Sequence, residues 1–433
     1  MLDALRYDHL HSRGYHRITS PNIDRLANEG VAFLRAYSHG PRTVYAMPSL
    51  FTSLYPAFHT MMHYGDTYVP LPEACITIPE VLKPHGYRTA CVVTNTYLRD
   101  KFGMTQGFDV ADQFGALHFK LSICWMLHKL RLLKCPYYAT HWKPKASEVT
   151  DRAIALLRRL EDAPLFLFAH YMDTHAPYLP PPAFANKFLD IDDAPRPEEI
   201  YRSTANLIKD GHSPDDRSIE TLKSYYDACI YYTDHEIGRL LEELQRISKK
   251  RSSMVIVTSD HGDEFLEHGH LGHINIAHEE LVHVPLICWH PNRYPAGMRV
   301  GSLVRHIDIM PTLRDMLGFS KPQEAMGRSL EPLIFGEDID FDCESYAQGV
   351  FNVSINFRNW KAIYVDTTST YALYDLTQDP GETRNLWAEE PEHMSILRDL
   401  LDEYMEAATD IADQKQRKLD PEIMKRLKAL GYL

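Results

Sequence analysis

The stretch "SSMVIVTSDHGDEFLEHGHLGHINIAHEEL", residues 252–281, decides how the rest of the chain reads. Its apolar run breaks at once into Ser259-Asp260-His261-Gly262-Asp263-Glu264. A short apolar run bounded by polar turn residues predicts a buried strand. Open parallel sheets gather their functional groups at the carboxyl ends of strands, and this is where the polar cluster stands. Asp260 and His261, side by side, can bind one divalent ion, the carboxylate as a hard ligand and the imidazole as a borderline one. On composition alone the same residues also suit an ordinary polar turn. His268, His270, His273, His278 and His283 follow closely. His278 and His283 read as ordinary core or surface histidines, while one or two of the others can face the site of Asp260.

Working outward, "YRTACVVTN" (87–95), "PLFLFAHYM" (164–172) and "VPLICW" (284–289) also read as buried strands. Residues 146–162 and 224–247 read as amphipathic helices, and 308–318 as a short helix closed by a glycine. Alternating strands and helices predict a large mixed, mostly parallel sheet sandwiched by helices. Two further clusters fall at strand ends: Asp173-Thr174-His175 after 164–172, and Asp3 after the opening residues. In "HGPRTVYAMPSLFTSLYP" (39–56) Thr43 stands at the start of a helix-like segment. Its hydroxyl there can meet a metal and the free N–H groups an anion, or it can be a simple cap. Residues 176–218, rich in Pro, Asp and Arg, read as a long surface excursion. Beyond 327–338 the texture turns to short alternating runs and then a charged helical tail. This divides the chain into a catalytic domain, 1–335, and a C-terminal antiparallel α+β subdomain, 336–433.

The 433 residues carry a net charge of −13. An acidic surface argues against nucleic acid as a partner, and an anionic substrate must be drawn in by local charge such as a metal. Seven cysteines, an odd number without a CxxC pair, read as buried reduced thiols. No signal peptide or membrane-spanning run is expected, and "LHFKLSICWMLHKLRLLKC" (117–135) reads as an amphipathic helix with a lid or membrane-surface role open to it. These features predict a cytoplasmic location. Only two residues precede Asp3, so the first strand looks truncated and a leader could be missing.

Taken together, the motifs resemble the sulfatase branch of the alkaline phosphatase superfamily. "DALRYDHLHSRGYHRITSPNIDRLANEGVAF" is similar to its opening block, "TVYAMPSLFTSLYP" to its nucleophile helix and "HYMDTHAPYLPP" to its substrate loop. "VTSDHGDEFLEHGHLGH" is similar to its second metal block, and "HIDIMPTLRDMLG", "GRSLEPLI" and "ALYDLTQDPGETRNL" to later landmarks in the family's order. The resemblance implies an alkaline-phosphatase-like fold and a metal-dependent ester hydrolase.

The departures matter as much. Sulfatases oxidise a Cys or Ser, followed by x-P-x-R, to formylglycine. Thr43 holds that position, Tyr45 and Met47 replace Pro and Arg, and no Cys lies in 36–60. Oxidising Thr would give a ketone, so formylglycine is excluded. Asn95, in "VVTNTYLRD", stands where many sulfatases grip sulfate, and His261 replaces an Asn. A Thr nucleophile with an Asp-His pair resembles phosphoethanolamine transferases and lipoteichoic acid synthases, and His273 matches a further His of the former.

The resemblance implies that Asp3, Asp260, His261 and the Thr43 hydroxyl hold one divalent cation, manganese or zinc ahead of calcium or magnesium. Thr43 is then the nucleophile. His175 and His273 bind the transferred group or protonate the leaving oxygen, with Asp173, Asn95 and Arg42 as further substrate contacts. Asp173, His175 and His273 could instead hold a second cation. A sulfate ester of Thr has no elimination route, so phosphate or phosphonate esters are favoured over sulfate esters. The substrate would be a small molecule or a lipid- or glycan-linked ester, and homo-oligomer formation stays open. The rivals are a sulfatase without formylglycine and a non-catalytic binding protein on the same fold. Arg6 and Asp8 read as structural, and Lys361 as a sheet-edge lysine.

Overall fold

The computed structural model describes all residues except 65–66, 115–142, 191–193, 249–251, 274–275, 320–324, 338–340, 342, 390–391 and 417–433. The expected helix over 117–135 therefore lies outside the described residues, as does the end of the charged tail.

The central sheet is assembled from two blocks. In one, Arg88–Val92 lies between Val110–Asp112 and Leu165–Ala169, all parallel. In the other the order is Met298–Arg305, Val31–Tyr37, His283–Trp289, Val255–Thr258. Leu2 closes the gap, with parallel bridges to Tyr171 on one side and Ser259 on the other. Only His283–Trp289 runs against the rest of this described sheet. The mostly parallel sheet of the sequence reading thus stands, with one reversed strand. The buried runs explain the arrangement: Ala90, Cys91, Val92, Leu286, Ile287 and Val304 are almost wholly buried, as strands covered on both faces must be.

Amphipathic helices cover those faces. Ala146–Arg159 turns Val149, Ala153 and Leu156 inward, and Asp216–Ser248 packs beside it through Leu222, Tyr226 and Ile230. Ile309–Leu317 ends at Gly318, whose φ of +72° is the left-handed cap that glycine adopts without strain. The stretch 176–218 is not the irregular excursion expected. It holds the helices Pro182–Ala185 and Pro197–Lys209, whose apolar residues Ala185 and Ile200 are buried. A proline opens each helix, so the prolines that suggested a loop are start signals.

A four-stranded antiparallel meander follows: Glu344–Gln348, Asn352–Phe357, Trp360–Val365 and Thr370–Asp375. The helix Glu392–Gln416 lies on it through Leu397, Leu401 and Tyr404. Lys361 is not at an edge, because its strand lies between two others and the side chain is fully buried. It pairs with Glu279 at 3.1 Å and Glu382 at 3.0 Å, tying the meander to the segment that follows His273.

The five described cysteines are buried and free, and burial pushes the thiols of Cys91 and Cys288 up to about 12. Among the described residues, no helix is long and apolar enough to cross a membrane.

Candidate active site

Three neighbouring strand ends deliver the first ligand-type residues. Asp3 follows the Leu2 bridge, His170 follows Leu165–Ala169, and Asp260-His261 follow Val255–Thr258. All four are fully buried. Asp3 Oδ2 lies 3.5 Å from His170 Nε2, and His261 Nε2 lies 3.7 Å from Asp3 Oδ1 and 3.5 Å from Asp260 Oδ2. Asp3 Oδ1, Asp260 Oδ2, His170 Nε2 and His261 Nε2 have no hydrogen-bond partner. Four buried donor atoms of mixed hard and borderline type, close together and without hydrogen bonds of their own, suit a divalent cation.

The surrounding bonds orient them for it. His261 Nδ1 donates to the Gly262 carbonyl at 2.9 Å, which leaves the Nε2 lone pair facing the carboxylates. Thr94 Oγ1 donates to the His170 carbonyl and accepts from His170 Nδ1 at 2.8 Å, leaving that Nε2 lone pair free as well. Ala4 N–H donates to Asp260 Oδ1 at 3.1 Å. Gly262 permits the tight turn, since a Cβ there would sit 2.0 Å from the Glu280 carbonyl oxygen.

Titration reflects the crowding. Burial, with Asp260 beside it, pushes Asp3 up to about 8. Burial also opposes Asp260 ionisation, but His261, His170 and the nearby Thr43 hydroxyl outweigh it, so that carboxyl lies below its usual range. Burial drops His170 to about 3, which keeps it neutral.

Thr43 is the first residue of the helix Thr43–Thr52 and is 5% exposed. No side chain caps this helix. Asn95 Nδ2 donates to Asp3 Oδ2 at 2.7 Å and to Thr43 Oγ1 at 3.1 Å. Asn95 therefore joins the hydroxyl to the ligand group, a closer part than the substrate contact expected for it. Arg42 immediately precedes the helix.

A second group adjoins the first. His273 Nδ1 bonds Asp263 Oδ1 at 2.5 Å, and Tyr178 OH donates to Asp263 Oδ2 at 2.7 Å. The His273 ring stacks on His261 at 4.2 Å and meets the His175 ring edge-on at 4.7 Å. His175 Nδ1 bonds the Ala176 carbonyl at 2.6 Å, and the Lys143 ammonium donates to the carbonyls of Asp173 and His175. Asp173 bonds the backbone N–H of Ala146 and is pushed up to about 7 by burial. The expected set Asp173, His175, His273 is thus not what gathers; the ligand-type group here is His261, Asp263 and His273. Asp173 instead meets the Ala146 N–H at the start of the helix Ala146–Arg159.

Sequence reasoning missed His170 and the part of Asp263. His170 was visible as the lone histidine or acidic residue inside "PLFLFAHYM", one strand away from Asp3, and Asp263 stood in the quoted cluster without an assigned partner. Arg6, 5% exposed, pairs with Asp8 at 2.7 Å and Glu267 at 2.7 Å, in keeping with a structural part.

The chain is similar to several known proteins. The arylsulfatase of Clostridium perfringens is 25% identical across 93% of this chain and 92% of its own length. Human arylsulfatase K is 23% identical across 88% and 76%. Among solved structures, the phosphonate monoester hydrolase of Silicibacter pomeroyi superposes with a TM-score of 0.71 at 19% identity, covering 97% of this chain and 95% of that one. A structure holding D-glucosamine-2-N,6-O-disulfate as its substrate gives 0.72 at 21%, covering 95% and 97%. A C-terminal model of N-sulphoglucosamine sulphohydrolase matches residues 267–410. The sulfatase family model matches residues 1–319, across all the strand ends described above, and the chain belongs to the sulfatase family of hydrolases.

Proposed function

We propose that this protein is a metal-dependent hydrolase of phosphate or phosphonate esters with Thr43 as its nucleophile. The observation that carries the reading is the convergence of four buried, hydrogen-bond-free donor atoms beside a threonine hydroxyl that Asn95 tethers to Asp3. Asp3, His170, Asp260 and His261 would hold the cation, which when bound lowers the pKa of a neighbouring hydroxyl and offsets the charge of the ester.

Asn95 aims Thr43 Oγ1 at phosphorus. The Oγ1–P bond forms, with the hydroxyl proton released to water, as the bond from phosphorus to the leaving oxygen breaks in line with it. Backbone N–H groups of the uncapped first turn at Thr43 and Val44 receive the equatorial oxygens. His273, oriented through Nδ1 by Asp263, passes a proton from Nε2 to the leaving oxygen. The neutral His273 then takes a proton from water as that water attacks phosphorus, and Thr43 Oγ1 regains a proton from solvent as the Oγ1–P bond breaks. The phosphonate monoester hydrolases of similar fold support this substrate class.

The curated arylsulfatase relatives favour a second reading, sulfate ester hydrolysis. Aryl phosphate, phosphonate and sulfate esters assayed in parallel separate the two, together with mass spectrometry of acid-quenched protein. The expected result is phosphonate or phosphate turnover and a phosphoryl adduct on Thr43. A sulfate preference of roughly tenfold in kcat/KM, about 1.4 kcal/mol in transition-state binding, reverses the ranking.

A further inference from the structure

His273 takes its direction from Asp263, and Asp263 is held in turn by a tyrosine. The Asp263 carboxylate is fully buried and has one partner on each oxygen: His273 Nδ1 on Oδ1 at 2.5 Å and the Tyr178 hydroxyl on Oδ2 at 2.7 Å. An ionised carboxylate only accepts, so the phenol donates one of these bonds and the imidazole the other. With both oxygens engaged, the carboxylate cannot turn about its Cβ–Cγ bond without breaking both. Arg6 Nη1 donates to the Asp263 carbonyl at 3.1 Å, which fixes the backbone beneath it.

Tyr178 is itself immobilised. Its side chain is fully buried, with the ring edge-on to Tyr226 at 5.2 Å and tilted against Phe265 at 5.8 Å. Dense aromatic packing leaves the ring one rotamer, and so aims the hydroxyl at one point. Tyr178 also stands three residues after His175, whose ring meets His273 edge-on at 4.7 Å. One hydrogen bond therefore couples the loop 173–178 to an imidazole delivered by a different segment. The sequence reading took Asp173 and His175 from this loop and gave its tyrosine no part. Without the hydroxyl, Oδ2 is buried with no partner, and the carboxylate is free to offer either oxygen to Nδ1. The imidazole then loses the single direction that proton delivery from Nε2 needs.

We propose that Tyr178 is a positioning residue for ester cleavage, fixing through Asp263 the direction in which His273 Nε2 presents its proton to the leaving oxygen. This rests on the ester chemistry proposed above, with His273 as the proton donor, and adds no bond-making step to it. Among the described residues the Tyr178 hydroxyl bonds Asp263 alone. Its influence therefore passes through His273 and not through Thr43 or the cation ligands.

The test compares the full chain with Y178F, H273N and the double variant, each loaded with manganese and, in parallel, with zinc. The probes are the phenyl and 4-nitrophenyl esters of phenylphosphonate. Y178F should lower kcat for the phenyl ester roughly tenfold with KM nearly unchanged, and should leave the 4-nitrophenyl ester within about twofold, because a good leaving oxygen departs without the proton. In the H273N background the same substitution should change neither rate, since the two side chains act as one unit. Equal losses for the two esters, a further loss on top of H273N, or full activity of Y178F on the phenyl ester would each overturn the proposal. The ratio of the two rates is read on one preparation and does not depend on how much of it is folded. Failure of the underlying ester chemistry shows elsewhere, in a native protein that turns over neither ester or carries no phosphoryl group on Thr43 after acid quenching.

Discussion

The Asp3 and His268 groups hold similar side chains but are positioned by different means. Asp3, His170, Asp260 and His261 sit on adjacent strand ends, and each is steadied from behind by Asn95, Thr94, the Ala4 N–H or the Gly262 carbonyl. The sheet fixes their spacing before any ligand arrives. His268, His278 and Glu382 come from a loop and a distant turn, steadied through ion pairs with Glu280 and Lys361. The contrast teaches that a rigid scaffold suits bond-breaking, where about 1 Å of misplacement costs orders of magnitude, whereas a joint needs only enough attraction to stay closed.

The sharpest break between the two regions should come from Thr43→Ala. Ester turnover should fall on the order of 10⁴-fold while the unfolding midpoint shifts little, as kinetics and calorimetry on one preparation would show. Lys361→Met should do the reverse. Removing the ammonium leaves Glu279 and Glu382 buried without it and should cost about 3–5 kcal/mol in denaturant unfolding, with the chemistry in the folded fraction little changed. A loss below about 1 kcal/mol would mean that the meander is held by its apolar contacts instead.

His273→Asn and Asp263→Asn sharpen the comparison on the catalytic side. Both should lower kcat by roughly 10²–10³ for esters of poor leaving groups and far less for nitrophenyl esters, because only a poor leaving oxygen needs the proton. An equal loss for both ester types would argue for a purely structural part.

The smallest effect is the pH dependence. In cation-free protein, Asp3 is raised from about 3.8 to about 8. Its folded-state pKa exceeds the unfolded one, so its contribution to stability is complete below pH 4 and is lost progressively up to about pH 8. A proton and a cation compete for this carboxyl. Cation affinity should therefore climb by up to about tenfold per pH unit through neutrality and level off near pH 8, as titration calorimetry would measure.

Much of this protein could be read from its residues alone. Apolar runs ending in Asp or His announced the strands and the end of the sheet where chemistry gathers, because periodicity and polar termini are local properties. Thr43 at a helix start, Asp260-His261 after a strand and the missing Cys in 36–60 were equally legible. Folding alone decided which histidines meet. His170 gains its place because the Leu2 bridge sets its strand beside Asp3, and Asn95 because its loop passes between Asp3 and Thr43. Lys361 became a partner of Glu279, 82 residues away in the chain, and His278 a partner of Glu382 only through docking of the meander. A pattern along the chain records which face of an element is buried; the partner waiting there is set by long-range packing, which no local signal encodes.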